Sequence, residues 1–564
     1  MEHSPQTANE ELPRETTAMA RIFGAHIGRK SLSHQEIMTR LTEDLIIARE
    51  AGNSFITLDA EEDAAVKANA HFCRGEEALF HLEGNHLYLY REYRNEVALA
   101  EAIASKLLAP APENKFSDAE IRAAFVKSGG PGFEPHENQT DAVKNCLASN
   151  FSIITGGPGT GKTTIIAALV TLEVKRNPGI AIEIAAPTGK AAELLTAGLS
   201  KACPEYPVKA ETLHKLFKAQ HGSGRFSCNA SNPLECDLLI VDECSMISLD
   251  TASKMFNGLK PGTRVVLSGD HRQLEAIGPG AVLDSLLTFD PGEREAAWKL
   301  KKASTELTAN YRSKLAPTIQ ELAKALREED DIKLLTQRIT TAASDHYCFK
   351  KSGKEVKKEA LESALSHWKE LPGVCSEITE ESRKRAFEML KSFRIITAAR
   401  IGKDGCVKFN EEIMKALKLG SCETPGAALL ITQNSRRTGL SNGDIGIVFA
   451  DGVNGGIKVC FEHLAEPLPF HELPPFESAF AMTVHKAQGS GFAEVFFPLP
   501  AKDTPLLTKE LFYTALTRAA KKITISGTPE MVEAALMKKS CRSAALRERI
   551  LSQLEKADDE KKNL

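Results

Sequence analysis

The octapeptide Gly156-Gly157-Pro158-Gly159-Thr160-Gly161-Lys162-Thr163 fits G-x-x-x-x-G-K-[ST], and its flanks constrain the fold more than any other stretch of the chain. The apolar run FSIIT precedes it, and TTIIAALVTLEVKR, a good helix former, follows it. A buried strand that ends in a glycine-rich turn and opens at once into a helix is the phosphate-binding unit of a parallel α/β sheet. The glycines let backbone N–H groups turn inward, and the helix N-terminus adds its positive end. Gly156 through Thr163, with Thr164 in the first helical turn, are therefore expected to hold a nucleoside triphosphate. Lys162 should reach the β- and γ-phosphates, and the Thr163 hydroxyl should meet Mg²⁺.

A second signal is Asp237-Leu238-Leu239-Ile240-Val241-Asp242-Glu243, two acids at the end of an apolar strand. An acid at that point in such enzymes holds the Mg²⁺, here Asp242, and the adjacent Glu243 is placed to orient and activate water. A solvated Asp-Glu pair after a strand is the plainer reading, and the upstream phosphate loop argues against it. A guanine-specific NKxD loop is not apparent, so ATP with Mg²⁺ is the expected pair.

The 564 residues suggest about four domains or subdomains. Lys plus Arg (71) nearly balances Asp plus Glu (75), and a net charge of -4 neither announces nucleic-acid binding nor excludes a local basic groove. The twelve cysteines are scattered, with no CxxC pair, and Cys228, Cys236 and Cys244, eight apart, match no usual zinc spacing; reduced, mostly buried thiols are expected. No apolar run is long enough to span a membrane, and the polar N-terminus lacks the features of a signal peptide. A cytoplasmic protein follows as the expectation.

Residues 1–115 alternate amphipathic helix with the strand HLYLY and carry no chemical motif; Pro110 and Pro112 then mark a linker. From 116 to 310 the runs FSIIT, IAIEIAA, CDLLIVD and TRVVLSG read as a buried parallel sheet. A charged, mainly helical stretch leads to about 392, where FRIITAAR begins the second sheet. AALLITQN, IGIVFA and IKVCFE make a small β module at about 425–476, and SAFAMTVHKAQG, EVFFPL and ITISG restore the parallel pattern to the end of a second domain, 311–564. The charged end, about 555–564, reads as disordered.

The remaining short motifs fall in the order of a superfamily 1 helicase. Gln139, in HENQTDAV, is similar to the adenine-reading glutamine of that superfamily, and Ala186-Pro187-Thr188-Gly189-Lys190 resembles its DNA-backbone motif. Thr212-Leu213-His214 resembles the T-L-H element of the RecD branch. Gly269-Asp270-His271-Arg272-Gln273-Leu274 is similar to G-D-x-x-Q-L, whose glutamine senses the γ-phosphate. Leu307-Thr308-Ala309-Asn310-Tyr311-Arg312 resembles L-x-x-N-Y-R, Thr483-Val484-His485-Lys486-Ala487-Gln488-Gly489-Ser490 resembles T-V-H-K-S-Q-G-S, and Tyr513-Thr514-Ala515-Leu516-Thr517-Arg518-Ala519 resembles Y-T-A-x-T-R-A. Ala487 replaces the usual Ser and Gly491 a frequent Glu. Each motif alone is weak; together, in this order over about 380 residues, they are specific.

The chain is thereby identified as a member of the RecD-like helicases, and within them it most resembles the alpha subunit of exodeoxyribonuclease V. The T-L-H element, the β module with Asn442-Gly443-Asp444-Ile445-Gly446, and HLYLYREYRNE, similar to L-Y-L-x-R-x-x-x-x-E, carry that likeness. The resemblance implies two RecA-like motor domains, an SH3-like insertion and a mainly helical N-terminal domain. It implies Arg312 and Arg518 as arginines that stabilise the transferring phosphoryl group beside Lys162, Asp242, Glu243 and Gln273, and Pro187, Thr188, His214, Thr483 and His485 as DNA contacts. It implies 5′→3′ unwinding of DNA in double-strand-break repair, on single strands and duplex ends, with beta and gamma partner subunits, the beta chain holding the nuclease. A stand-alone helicase and a structural subunit with a vestigial ATPase are the rivals, the intact motif residues opposing the second. The segment 220–232 resembles a strand-separating hairpin, or is a plain surface loop. The N-terminal region is either a docking module or an extra layer of core.

Overall fold

Three runs, Phe151–Gly156, Leu238–Val241 and Arg264–Gly269, are buried at every position, and a strand buried on both faces needs neighbours on both sides and helices above and below. The computed structural model describes residues 14–562 except 76, 131, 205, 207, 221–222, 277, 289–295, 310–315, 352–354, 436, 453–455 and 539–541. Those strands lie in a six-stranded sheet ordered Ala210–Thr212, Ile182–Ala186, Leu238–Val241, Arg264–Gly269, Phe151–Gly156, Ser304–Leu307. Every pair is parallel, so all six C-terminal ends reach the same edge.

A second six-stranded sheet is ordered Ala343–Ser344, Tyr347–Lys351, Ala519–Gly527, Phe492–Pro498, Phe393–Thr397, Ala481–Thr483, and only its first pair is antiparallel. The strand Tyr347–Lys351 falls inside the stretch expected to be helical. In YCFKK only Tyr347 is fully buried, so no apolar run announces it; pairing of Tyr347 with Ile523 recruits it. Between Phe393–Thr397 and Ala481–Thr483 the chain inserts the β module, five antiparallel strands ordered Leu468–Pro469, Gly456–Phe461, Ile445–Asp451, Ala428–Ile431, Phe476–Ser478. The chain is thus α/β, with two parallel-sheet motor domains, a small β insertion and a mainly helical N-terminal region.

That N-terminal region has its own small core. Ile27, Met38, Leu41, Leu45, Val66 and Leu87 gather there, from three helices and a three-stranded antiparallel sheet. The helix Tyr90–Leu108 belongs elsewhere. Its Leu99, Ala100, Ile103 and Ala104 share one core with Phe151 and Ile153 of the phosphate-loop strand and with Leu546, Ile550 and Leu554 of the last helix. A boundary at 115 therefore cuts through the first motor domain, and residues 90–108 are core. A second correction concerns the C-terminus. The segment expected to be disordered from 555 continues the helix Leu546–Lys562, because Leu554 is buried and Asp558 pairs with Lys299 at 2.5 Å.

The HLYLYREYRNE element explains how these pieces lock. Tyr88 is buried, Arg91 pairs with Asp250 at 2.6 Å, and Glu92 pairs with Arg49 at 2.9 Å. Glu96 is fully buried; its Oε1 accepts from Arg549 Nε at 3.0 Å and from Ala545 N at 3.1 Å. Arg549 also binds Glu83 at 2.5 Å and lies 4.7 Å from the Tyr93 ring centre. Burial pushes the Glu96 carboxyl up, and the Arg549 guanidinium beside it opposes that push. Among the described residues no helix is long and apolar enough to cross a membrane.

Arg549→Ala would leave Glu96 buried without its counter-charge, a change that costs about 3–5 kcal/mol in such pairs. The urea denaturation midpoint should fall accordingly. A midpoint within error of the parent would show that the clamp does not hold the terminal helix.

Candidate active site

Because the sheet is parallel, each sequence motif emerges at one edge beside the next. Gly156 leads into the phosphate loop, Val241 into Asp242 and Glu243, Gly269 into Asp270 to Gln273, and Ala186 into Pro187 and Thr188. Gly159 and Gly161 both take φ of 86°, a left-handed conformation that glycine adopts without cost, and Gly161 caps the helix Lys162–Arg176. Thr160 is buried and its Oγ1 donates to Gly157 O at 2.8 Å. Lys162 Nζ donates to Gly156 O at 2.6 Å, folded back over the loop. Thr163 and Thr164 open the helix directly behind it. Pro158 lines a cleft of about 300 Å³ that runs from the loop to Gln320 and Tyr513 of the second motor domain.

Asp242 Oδ1 accepts from Ser268 Oγ at 2.7 Å in the interior. Glu243 holds a left-handed φ of 53°, a strained conformation for a residue with a Cβ and one that clusters at working sites. Burial first, and the neighbouring Asp242 carboxylate second, push the Glu243 carboxyl up; Lys162 and Arg518 pull it down. Two crowded carboxylates are hard oxygen donors that suit a small divalent cation, so the chemistry of Asp242 beside Glu243 fits Mg²⁺.

Gln139 is adjacent to the loop but fully buried, and its amide is engaged by protein. Its Oε1 accepts from His136 N at 3.0 Å and its Nε2 donates to Thr160 O at 3.0 Å. In this structure it braces the loop, and reading a base would require exchange of those bonds. Arg312, with Asn310 and Tyr311, lies outside the described residues.

Arg518 is where the two motor domains meet. Its Nη2 donates to Gln273 Oε1 at 3.1 Å, Gln273 Nε2 donates to Asp270 Oδ2 at 3.2 Å, and Tyr513 Oη donates to the same oxygen at 2.9 Å. Leu274 N donates to Thr514 Oγ1 at 2.8 Å, and Gln488 Nε2 donates to Leu274 O at 2.7 Å. The segment expected to sense the γ-phosphate therefore holds the second domain through four hydrogen bonds, with the Gln273–Asp270 bond tying the segment to itself. Tyr513 and Asp270 stood within motifs but without assigned roles; an acceptor and a phenol facing each other across a cleft have no local sequence signal.

The residues expected to touch DNA divide between the two domains, with Pro187, Thr188 and His214 following strands of the first sheet and Thr483 and His485 at the end of a strand of the second. Thr188 Oγ1 caps the helix Gly189–Ala202, accepting from Ala191 N at 3.2 Å. A Cβ on Gly489, four residues beyond His485, would lie 3.3 Å from that hydroxyl, and one on Gly189 would lie 2.9 Å from Ser441 Cβ of the β module. Pro187–Gly189, the 483–489 turn and the β module thus converge. Thr483 Oγ1 accepts from Lys486 N at 3.3 Å. His214 shares the sheet edge with Pro187, since Ala186 pairs with Thr212, but its ring packs edge-on against Phe226 at 5.7 Å. Phe226 is buried, stacks on Phe217 at 5.6 Å and pairs antiparallel with Ala219, so the described part of the 220–232 segment is fastened to its own domain.

His485 supplies a pH test. Burial, then the Arg542 charge, lower its imidazole to about 4. The unfolded chain titrates at about 6.5, so between those values it binds more protons than the folded one. Stability should fall as pH drops from about 6.5 toward about 4. His485→Gln should flatten the decline of the denaturation midpoint over that interval; an unchanged slope would place the titration elsewhere.

Residues 139–279 match the family model described as AAA domain, and residues 478–526 match that described as UvrD-like helicase C-terminal domain. The RecBCD enzyme subunit RecD of Haemophilus influenzae is 30% identical over 518 residues, 82% of this chain and 79% of that protein. The RecBCD enzyme subunit RecD of Mycolicibacterium smegmatis is 31% identical over 84% of each chain. The ATP-dependent RecD2 DNA helicase of Deinococcus radiodurans is 27% identical, over 82% of this chain and 58% of that protein. Among solved structures, Bacteroides Pif1 bound to ssDNA aligns at 18% identity and a TM-score of 0.38, over 76% of this chain and 98% of that one. With 30–31% identity to RecD subunits over 82–84% of its length, the chain belongs to the RecD family of ATP-dependent DNA helicases.

Proposed function

We propose that the chain is the 5′→3′ helicase subunit of a RecBCD-type exodeoxyribonuclease V, unwinding DNA at double-strand ends with beta and gamma partners and Mg²⁺-ATP as its fuel. The observation that carries this is Arg518 of the second domain bonded to Gln273 of the first, beside the phosphate loop. Such a bond makes closure of the cleft sensitive to what occupies the loop. Lys162 swings from its own loop carbonyls to the phosphates, and the nucleotide's charge replaces theirs. Thr163 and Asp242 would hold the Mg²⁺, which supplies charge neutralisation on the phosphate oxygens. Glu243 takes the proton of the attacking water, for which a raised carboxyl is the better base. Gln273 reports the terminal phosphate to Arg518, and with Arg312 the two arginines stabilise charge on the transferring group. Each cycle opens and closes the junction of Pro187–Thr188, Thr483 and His485, which grips one DNA strand through its backbone.

The subunit reading rests on the L-Y-L-x-R-x-x-x-x-E element and the identity to RecD subunits; the 27% identity to a RecD2 helicase keeps the stand-alone reading as its rival. Copurification with beta and gamma chains decides between them, and a discrete monomer that unwinds strongly by itself would favour the rival. Binding should prefer single strands, tolerate any sequence and weaken with salt.

For the chemistry, Lys162→Ala should abolish DNA-stimulated ATP turnover with the fold intact, and Glu243→Gln should bind ATP but turn over at least about 10²-fold more slowly. Arg518→Ala should cost about 10³-fold in turnover with ATP affinity nearly kept. Near-normal turnover in the Lys162 variant would sink the assignment.

A further inference from the structure

Arg327 stands in the last turn of the helix Pro317–Glu328, which opens the second motor domain. The apolar face of that helix, Ile319, Leu322, Ala323 and Leu326, is buried in the second domain's core and fixes its place. The Arg327 side chain is only 14% exposed and faces the phosphate loop across the cleft. A Cβ built on Gly157 would lie 3.1 Å from Arg327 Nη1 and 2.9 Å from Tyr513 Oη. On the other side of the same stretch Lys162 Nζ reaches Gly157 O at 3.4 Å. The second residue of the loop is thus pinched between a cation of its own domain and one of the other.

What holds Arg327 there is weak. Its Nη2 donates to Glu306 Oε1 at 3.4 Å, and that carboxylate is about half exposed. Its Nε is buried with no hydrogen-bond partner. A guanidinium stays charged at any ordinary pH, so this is a largely dehydrated cation with donor capacity to spare. Two cavities, of about 280 and 300 Å³, both have Arg327 and Tyr513 in their walls, so the group stands where a ligand would enter. Its own carbonyl accepts from Arg272 Nη1, which ties the position of the helix end to the Asp270–Gln273 segment.

The geometry points to Arg327 as a further trans-cleft cation, besides Arg312 and Arg518, that leaves Glu306 for the phosphate oxygens of the nucleotide when the loop is loaded. The inference rests on the ATPase reading of the loop. A planar fork of donors matches phosphate oxygens in a way a lysine ammonium does not, so the role is specific to arginine. Glu306 acts as the resting partner, and its half-exposed, long contact is cheap to give up.

The test uses the full chain and two readouts: binding of a fluorescent ADP and of its aluminium fluoride complex, and DNA-stimulated turnover. Arg327→Ala should bind ADP within about 2-fold of the parent, bind the aluminium fluoride complex at least about 10-fold more weakly, and lose about 10²-fold or more in kcat. Arg327→Lys, which keeps the charge and the fold, should recover only part of both. Glu306→Gln, which removes the resting partner that Arg327 shares with Arg272 at 3.9 Å, should turn over normally and bind the aluminium fluoride complex as tightly or more tightly. If Glu306→Gln reproduces the loss seen in Arg327→Ala, the residue is only a structural tie and the proposal is overturned. Ordinary binding of the aluminium fluoride complex by Arg327→Ala, with turnover still dependent on Lys162, overturns it alone. Turnover indifferent to Lys162 overturns the loop reading and this proposal together.

Discussion

Parallel pairing is the constraint from which the rest of the molecule follows. When Phe151–Gly156 pairs in parallel with Arg264–Gly269 and Ser304–Leu307, every strand must deliver its C-terminal end to one edge. The phosphate loop, Pro187–Thr188, the acid pair and Gln273 are separated by 24 to 54 residues of sequence, yet their strands deliver them to one edge. No individual side chain brings them together. The backbone hydrogen-bond direction does, and the side chains exploit the result.

The same edge sets how the two motor domains communicate. Gln273 and Leu274 are a few residues beyond a buried strand, and they receive Arg518, Thr514 and Gln488 of the other domain. The contact is polar where an apolar patch would have been stronger. Hydrogen bonds of this sort contribute only about 0.5–1.5 kcal/mol each, so they can be exchanged for bonds to a ligand within a catalytic cycle. An oily interface of similar size would hold the cleft shut. The apolar cores of the two domains stay apart except at Leu274, which packs into the core of the second domain, so the seam is otherwise polar.

The two ends of the chain solve a different problem. The first motor sheet needs cover on the face over Phe151, and the cover comes from Tyr90–Leu108 and Leu546–Lys562, segments more than four hundred residues apart. Arg549 fastens them through Glu96 and Glu83, with Tyr93 under its guanidinium. The N-terminal lobe before residue 90 rests on this arrangement and keeps a small core of its own. Exposed apolar side chains on its first helix, Met19, Ile22 and Phe23, leave that helix face open.

The phosphate loop, the acid pair, the order of the motifs and the α/β class were legible in the sequence, because each depends on local spacing: glycines at fixed offsets, apolar runs of strand length, an acid one residue beyond such a run. The β module was legible for the same reason. The strand Tyr347–Lys351 was not, since its place depends on pairing with Ala519–Gly527, far along the chain. Nor was the helical C-terminus, whose charged composition looks solvated until Leu554 meets the core and Asp558 meets Lys299. The L-Y-L-x-R-x-x-x-x-E element was visible as a pattern, but its arginine and glutamates serve Asp250, Arg49 and Arg549 within the chain. Likewise Gln139 was found by position, while only the fold decided that its amide braces Thr160. The sequence by itself determined that this chain binds a nucleotide on a parallel sheet, because that chemistry is written in contiguous residues. Tertiary structure alone decided which charges face each other across the cleft, Arg518 on Gln273 and Arg327 on Gly157, because those encounters join residues 170 or more positions apart and have no local signature.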